Sequence, residues 1–137
     1  MKTGIVIFLT AIILTACQSK SVTGETIAVA GGSYQNITPR ELNTILKDKD
    51  FVFVNVHIPF AGNISNTDLS ISYDQVSIPE NLAQLPTDKA AKIVLYCRSG
   101  RMSEIAATEL VSRGYTNIWN LDGGMVAWEQ AGYEIEK

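Results

Sequence analysis

Hydrophobic residues fall along this chain in two rhythms, consecutive apolar runs and stripes spaced three or four apart, and each rhythm predicts a different element. "FVFVNVHI" at residues 51–58 is β-branched and aromatic with almost no polar alternation, which predicts a strand covered on both faces. "KIVLY" at 92–96 repeats the pattern, "YTNIWNL" at 115–121 gives a further strand, and "SYQNI" at 33–37 and "LSISYD" at 69–74 give short ones. The stripes lie between them. Thr38-Pro39-Arg40-Glu41 is a capping-box pattern with proline at the first helical position, and Leu42, Ile45 and Leu46 continue it on one face as far as the charged "KDKD" turn. A Gly/Asn/Ser-rich loop follows over 59–67, and Ser77-Ile78-Pro79-Glu80 opens a brief helix that stops near Pro86. Met102, Ile105, Ala106 and Leu110 share one side of a helix over 102–113 that Gly114 ends. "DGG" is a turn, and "MVAWEQAG" is a last helix with Gly132 as its stop. Strands alternating with helices predict an α/β fold, a single domain with an open parallel sheet and helices on both faces. Ligand sites in such folds lie beyond the carboxyl ends of the strands.

Composition agrees with one domain around one core: 137 residues, 46% hydrophobic and 18% charged. The formal charge is −3, with acids and bases interspersed and no basic run. That distribution gives no electrostatic basis for binding nucleic acid or an anionic membrane surface, and leaves small molecules and proteins as partners.

The N-terminus changes the picture. Lys2 precedes an apolar run over residues 4–16, shorter than the roughly 20 residues that span a bilayer, which predicts a signal peptide over 1–16. Its end, Leu14-Thr15-Ala16-Cys17, resembles the bacterial lipobox. That resemblance implies an exported protein whose N-terminus is a diacylated Cys17, held to the membrane of the cell envelope at about 0.8 kcal/mol per buried CH₂. The alternative is an uncleaved anchor or a chance cysteine. Residues 17–32 are small and polar with a weak apolar patch at 27–30, as expected of a tether, so the folded domain is expected over 33–137. With Cys17 lipidated, Cys97 has no intramolecular partner, and it is either an inert buried thiol or a used one.

The surroundings of Cys97 favour use. In "CRSGRMS", Ser99 and Gly100 are small enough for the backbone to curl so that successive N–H groups face one centre, an anion-binding nest. The helix start near Met102 adds open N–H groups and the positive end of its dipole, and Arg98 and Arg101 add two cations. Such neighbours bring a cysteine from about 8.5 to roughly 3.5–7.5, so a thiolate is expected at neutral pH. The loop resembles the six-residue active-site loop of the rhodanese family of sulfurtransferases. "ITPRELNTILKDKDFVFVNVH" resembles that family's opening helix and second strand, and "NLDGGMVAWEQAGYEIE" resembles its closing strand, Gly-Gly turn and Trp-bearing helix.

The resemblance implies a rhodanese-like fold in which thiolate Cys97 takes sulfane sulfur from thiosulfate, or from a persulfide or polysulfide donor. The persulfide so formed then passes its sulfur to cyanide, a thiol or a protein acceptor. Arg98, Ser99, Gly100, Arg101, Met102 and Ser103 would hold the anionic donor, and no cofactor is implied. Two departures stand out. The family's Asp-x-Arg at the end of the second strand is Asn55-Val56-His57 here, and its Gly-His-Ile-Pro-Gly-Ala segment becomes Ala61-Gly62-Asn63-Ile64-Ser65-Asn66. His57, the lone histidine, is expected to be a hydrogen-bonded strand-end residue with an accessory role at the site as its alternative, and one His with one free Cys gives no metal site. Trp119 and Trp128 read as core or pocket wall. A phosphatase would need arginine at the sixth position after the cysteine, where Ser103 stands. A non-catalytic module that binds an anion or a partner at the membrane also fits the departures.

Overall fold

The structure is a computed structural model and describes residues 21–137, so Cys17 and the expected signal segment lie outside the described residues. Six strands form one sheet: β1 (Glu25–Val29), β2 (Gly32–Ile37), β3 (Val52–Asn55), β4 (Leu69–Ser70), β5 (Ile93–Tyr96) and β6 (Ile118–Leu121). Their spatial order is β1-β2-β6-β5-β3-β4, parallel throughout except for the antiparallel β1–β2 hairpin. The helices are α1 (Pro39–Ile45), α2 (Pro79–Leu82), α3 (Arg101–Ser112) and α4 (Gly124–Gln130).

Period-two alternation in the central strands divides the core into two layers. In β5, Ile93 and Leu95 join Val54, Val56 and Ile118 beneath Ala106, Ala107, Leu110 and Val111 of α3. Val94 and Tyr96 face the other way, with Phe53, Ile37 and Leu121, against Leu42 of α1 and Met125 and Trp128 of α4. All four β5 residues are buried, as a run without polar alternation requires. Thr38 caps α1 through the expected reciprocal box, its hydroxyl accepting from Glu41 N and Glu41 returning to the Thr38 amide.

One boundary differs from expectation. Residues 25–29, read as part of the tether, form β1, which pairs with β2 from Glu25↔Asn36 to Val29↔Gly32. Ile27 and Val29 pack on the core while Thr26 and Ala28 stay exposed. An edge strand needs apolar residues only at alternate positions, so its composition passes for linker. The folded unit therefore begins before Ser33. Smaller shifts affect β3, which ends at Asn55 rather than 58, and α3, which opens at Arg101.

Candidate active site

β5 lies between β3 and β6 in the middle of the sheet and delivers Cys97 at its carboxyl end. The residue is 1% exposed and belongs to the core layer under α3. Its sulfur is nevertheless not in an apolar cage. Gly100 N donates to Sγ at 3.0 Å, and the hydroxyl of fully buried Ser103 lies 3.4 Å from Sγ and 2.9 Å from the Gly100 carbonyl. Ser103 has one proton to give, so it serves the carbonyl when the sulfur is neutral and turns to the sulfur as negative charge develops there. The expected nest is only partly formed, since one main-chain amide reaches the sulfur rather than several. Among the described residues the amides of Arg98, Ser99, Arg101 and Met102 have no protein acceptor, as befits groups leading into a helix start.

Two glycines fix the loop. Gly100 has φ of 105°, a region glycine enters without strain, and this is what turns its amide back toward Cys97. Gly124 lets α4 approach: a Cβ there would stand 2.4 Å from the Cys97 carbonyl oxygen. At that distance Met125 N donates to Cys97 O and Val126 N to Arg98 O, each at 2.9 Å. The Gly-Gly turn thus clamps the cysteine loop from behind, using the open amides of α4.

Arg98 and Arg101 do not converge. Arg98 lines a cleft of about 250 Å³ with Ala61, Met125, Val126, Glu129 and Lys137, whereas Arg101 lines one of about 450 Å³ with Tyr34, Glu104 and Ile105. Both are exposed, and neither forms an ion pair among the described residues. Ser99 is exposed between them, and Met102 is half-buried against the core layer that holds Cys97.

The departures at Asn55 and His57 have a structural reading. Asn55 is 2% exposed, and its Nδ2 donates to Gly62 O at 3.0 Å and Asn63 Oδ1 at 2.9 Å while its Oδ1 accepts from His57 N at 3.0 Å. The Tyr96 hydroxyl joins the same network, accepting from Ile64 N at 3.0 Å and meeting Thr67 Oγ1 at 2.7 Å. A neutral hub thus pins the loop after β3, at the place of the Asp-x-Arg in the family that this chain resembles. His57 Nδ1 is buried without a partner, and burial, then the nearby Arg98 guanidinium, hold the imidazole below its ordinary value. Sequence reasoning noticed Asn55 and His57 but missed Tyr96, Thr67 and Gly124, whose roles depend on contacts distant in sequence.

Residues 39–131 match the family described as Rhodanese-like domain. The chain belongs to that family. Similar proteins include a sulfurtransferase of Allochromatium vinosum, 40% identical over 58 residues that make 42% of this chain and 52% of the relative. A thiosulfate sulfurtransferase, GlpE, of Pseudomonas syringae is 30% identical over 90 residues, 66% of this chain and 83% of the relative. Other relatives are longer: the chain spans 28% of a tRNA uridine(34) hydroxylase of Hamiltonella defensa, at 28% identity over 69% of its own length. Among solved structures, a rhodanese-related protein of Thermoplasma volcanium matches with a TM-score of 0.61 at 27% identity, covering 74% of this chain and 97% of that one. This rhodanese-like chain therefore carries its family's fold, with Cys97 at the end of the central strand.

Proposed function

We propose that this protein is a sulfurtransferase that carries sulfane sulfur as a persulfide on Cys97. The observation that supports this most is the Gly100 amide directed at Sγ with Ser103 behind it, because an inert core cysteine needs no polar donors. The relatives named sulfurtransferases point the same way. In the first half-reaction the Cys97 thiolate attacks the outer sulfur of thiosulfate. The Sγ–S bond forms, the donor S–S bond breaks, and its electron pair leaves on sulfite. In the second, the acceptor's lone pair takes that outer sulfur and the Sγ–S electron pair returns to Cys97. The Gly100 amide and Ser103 hydroxyl stabilise the negative sulfur at both ends of the cycle, and the loop amides without protein acceptors offer sites for the anionic donor.

The reading includes the setting, an exported chain anchored through lipid on Cys17, which rests on the N-terminal sequence alone. A second reading is a non-catalytic anion- or partner-binding module, favoured by the 1% exposure of Cys97. Steady-state kinetics separate the two. Transfer through a persulfide gives parallel double-reciprocal lines when thiosulfate and cyanide are varied, abolished in Cys97→Ser. A module gives no turnover with thiosulfate or polysulfide as donor and cyanide or thiol as acceptor.

A further inference from the structure

The larger of the two arginine-lined clefts is not the one that holds Arg98. It lies along α3, has a volume of about 450 Å³, and is lined by Tyr34, Arg101, Glu104, Ile105, Thr108 and Glu109. It adjoins the cysteine loop: a Cβ on Gly100 would stand 3.9 Å from Glu104 Oε1, and the Gly100 amide is the one bonded to Cys97 Sγ.

Three features of the cleft are unspent. Tyr34 is 5% exposed as a residue, but its hydroxyl is not among the fully buried atoms and has no hydrogen-bond partner among the described residues, so it is free to donate into the cleft that Tyr34 lines. Burial, then the carboxylates of Glu104 and Asp122, hold its phenol above the ordinary value, so it is a neutral donor. Arg101 has no ion-pair partner among the described residues, although it shares the cleft with two carboxylates. Of these, Glu109 is taken by Arg113 at 3.0 Å, which leaves Glu104 without a cation. Ile105, 41% exposed, adds an apolar wall.

One free cation and one free carboxylate facing a neutral donor complement a zwitterion. A small dianion such as thiosulfate would meet Glu104 and Glu109 here. We infer that this cleft seats the sulfur acceptor, a small zwitterionic thiol of the amino-acid or short-peptide class, with its carboxylate on Arg101 and its ammonium on Glu104. The inference rests on the sulfurtransferase reading and adds the chemical class of the acceptor. The thiol of the seated acceptor loses its proton to solvent and attacks the outer sulfur of the Cys97 persulfide. A new S–S bond forms on the acceptor, the Sγ–S bond breaks, and its electron pair restores the Cys97 thiolate.

The test uses the full-length chain with saturating thiosulfate, sulfite release as readout, and four acceptors. Cysteine carries both charges, 3-mercaptopropionate lacks the ammonium, cysteamine lacks the carboxylate, and cyanide serves as the reference that needs no cleft. Each thiol keeps its intrinsic reactivity with every variant, so changes in the ratios between thiols report the cleft alone. Glu104→Gln is expected to lower kcat/KM for cysteine relative to 3-mercaptopropionate about tenfold and to leave cyanide turnover within about twofold. Arg101→Gln is expected to lower kcat/KM for cysteine relative to cysteamine by a similar factor. Cyanide turnover with thiol ratios unchanged in both variants overturns the inference and spares the sulfurtransferase reading. Absence of turnover by the unsubstituted chain with every acceptor overturns both.

Discussion

His57 and Asn55 show how single residues decide what this loop tolerates. The imidazole is held below its ordinary value of 6.5 by burial first and Arg98 second, so the unfolded chain binds a proton more readily than the folded one. The folded state therefore loses stability as pH falls from about 6.5 toward the lower folded value. In urea unfolding, the native midpoint is expected to drop between pH 7.5 and 5.5 by more than that of His57→Gln, which has nothing to protonate there. Equal drops would mean that His57 is not held neutral. Asn55 makes a sharper case, because its Nδ2 faces two acceptors, Gly62 O and Asn63 Oδ1. Asn55→Asp puts a buried carboxylate against both and is expected to cost about 3 kcal/mol at neutral pH, measured by denaturant unfolding. Acid should return part of that loss, since a protonated aspartate regains one donor. The family's usual carboxylate at this position is thus the wrong residue for this hub.

Among the elements, α4 matters less for its length than for where it begins. Gly124 and Gly132 both have positive φ, 59° and 91°, so alanine strains the backbone at each. Only at Gly124 does a Cβ also meet protein, 2.4 Å from Cys97 O, while at Gly132 nothing lies within 4 Å. Gly124→Ala is expected to slow sulfur loading at least tenfold, with Gly132→Ala within about twofold of the native rate, because one variant pushes α4 off the cysteine loop and the other does not. Stopped-flow loading with thiosulfate reads the difference. The same elements show which parts of the structure the sequence disclosed. β3, β5, α1, α3 and α4 announced themselves because fully buried strands and one-sided helices leave strong periodic signatures over neighbouring residues. The Cys97 loop was readable for the same reason, being one contiguous segment that ends a strand and starts a helix. What stayed hidden comes together only on folding. Asn55, Asn63, Thr67 and Tyr96 meet from three separate segments, Tyr34 and Glu104 reach one cleft from β2 and α3, and the separation of Arg98 from Arg101 depends on how the loop turns.

For the whole molecule, the sheet sets both the extent of the domain and the position of its chemistry. β1 covers the edge of β2, and Ile27 and Val29 lay apolar surface on the layer that also holds Cys97. A chain that starts at Ser33 loses those contacts and leaves β2 as an open edge. It is expected to be less stable than one starting at Ser21 by about 2–3 kcal/mol, from two partly buried aliphatic side chains, and more prone to associate. Denaturant midpoints and light scattering of the two chains check this, and equal midpoints would return residues 25–29 to the role of a tether. Strand order does the rest: with β5 central, the carboxyl end that carries Cys97 is flanked by the loop after β3 on one side and by the β6–α4 turn on the other. α4 holds the cysteine loop with hydrogen bonds and, with Ala61 of the loop after β3, lines the Arg98 cleft, whereas the Arg101 cleft lies along α3. That arrangement suits a sulfur that receives its cargo from one partner and hands it to another. The direct measurement is the intact mass of the folded protein after brief exposure to thiosulfate and removal of the excess. A gain of one sulfur atom, mapped to Cys97, released by cyanide and absent in Cys97→Ser, is the predicted result. An unchanged mass, with Cys97 still a free thiol after prolonged exposure to thiosulfate and to polysulfide, would contradict it.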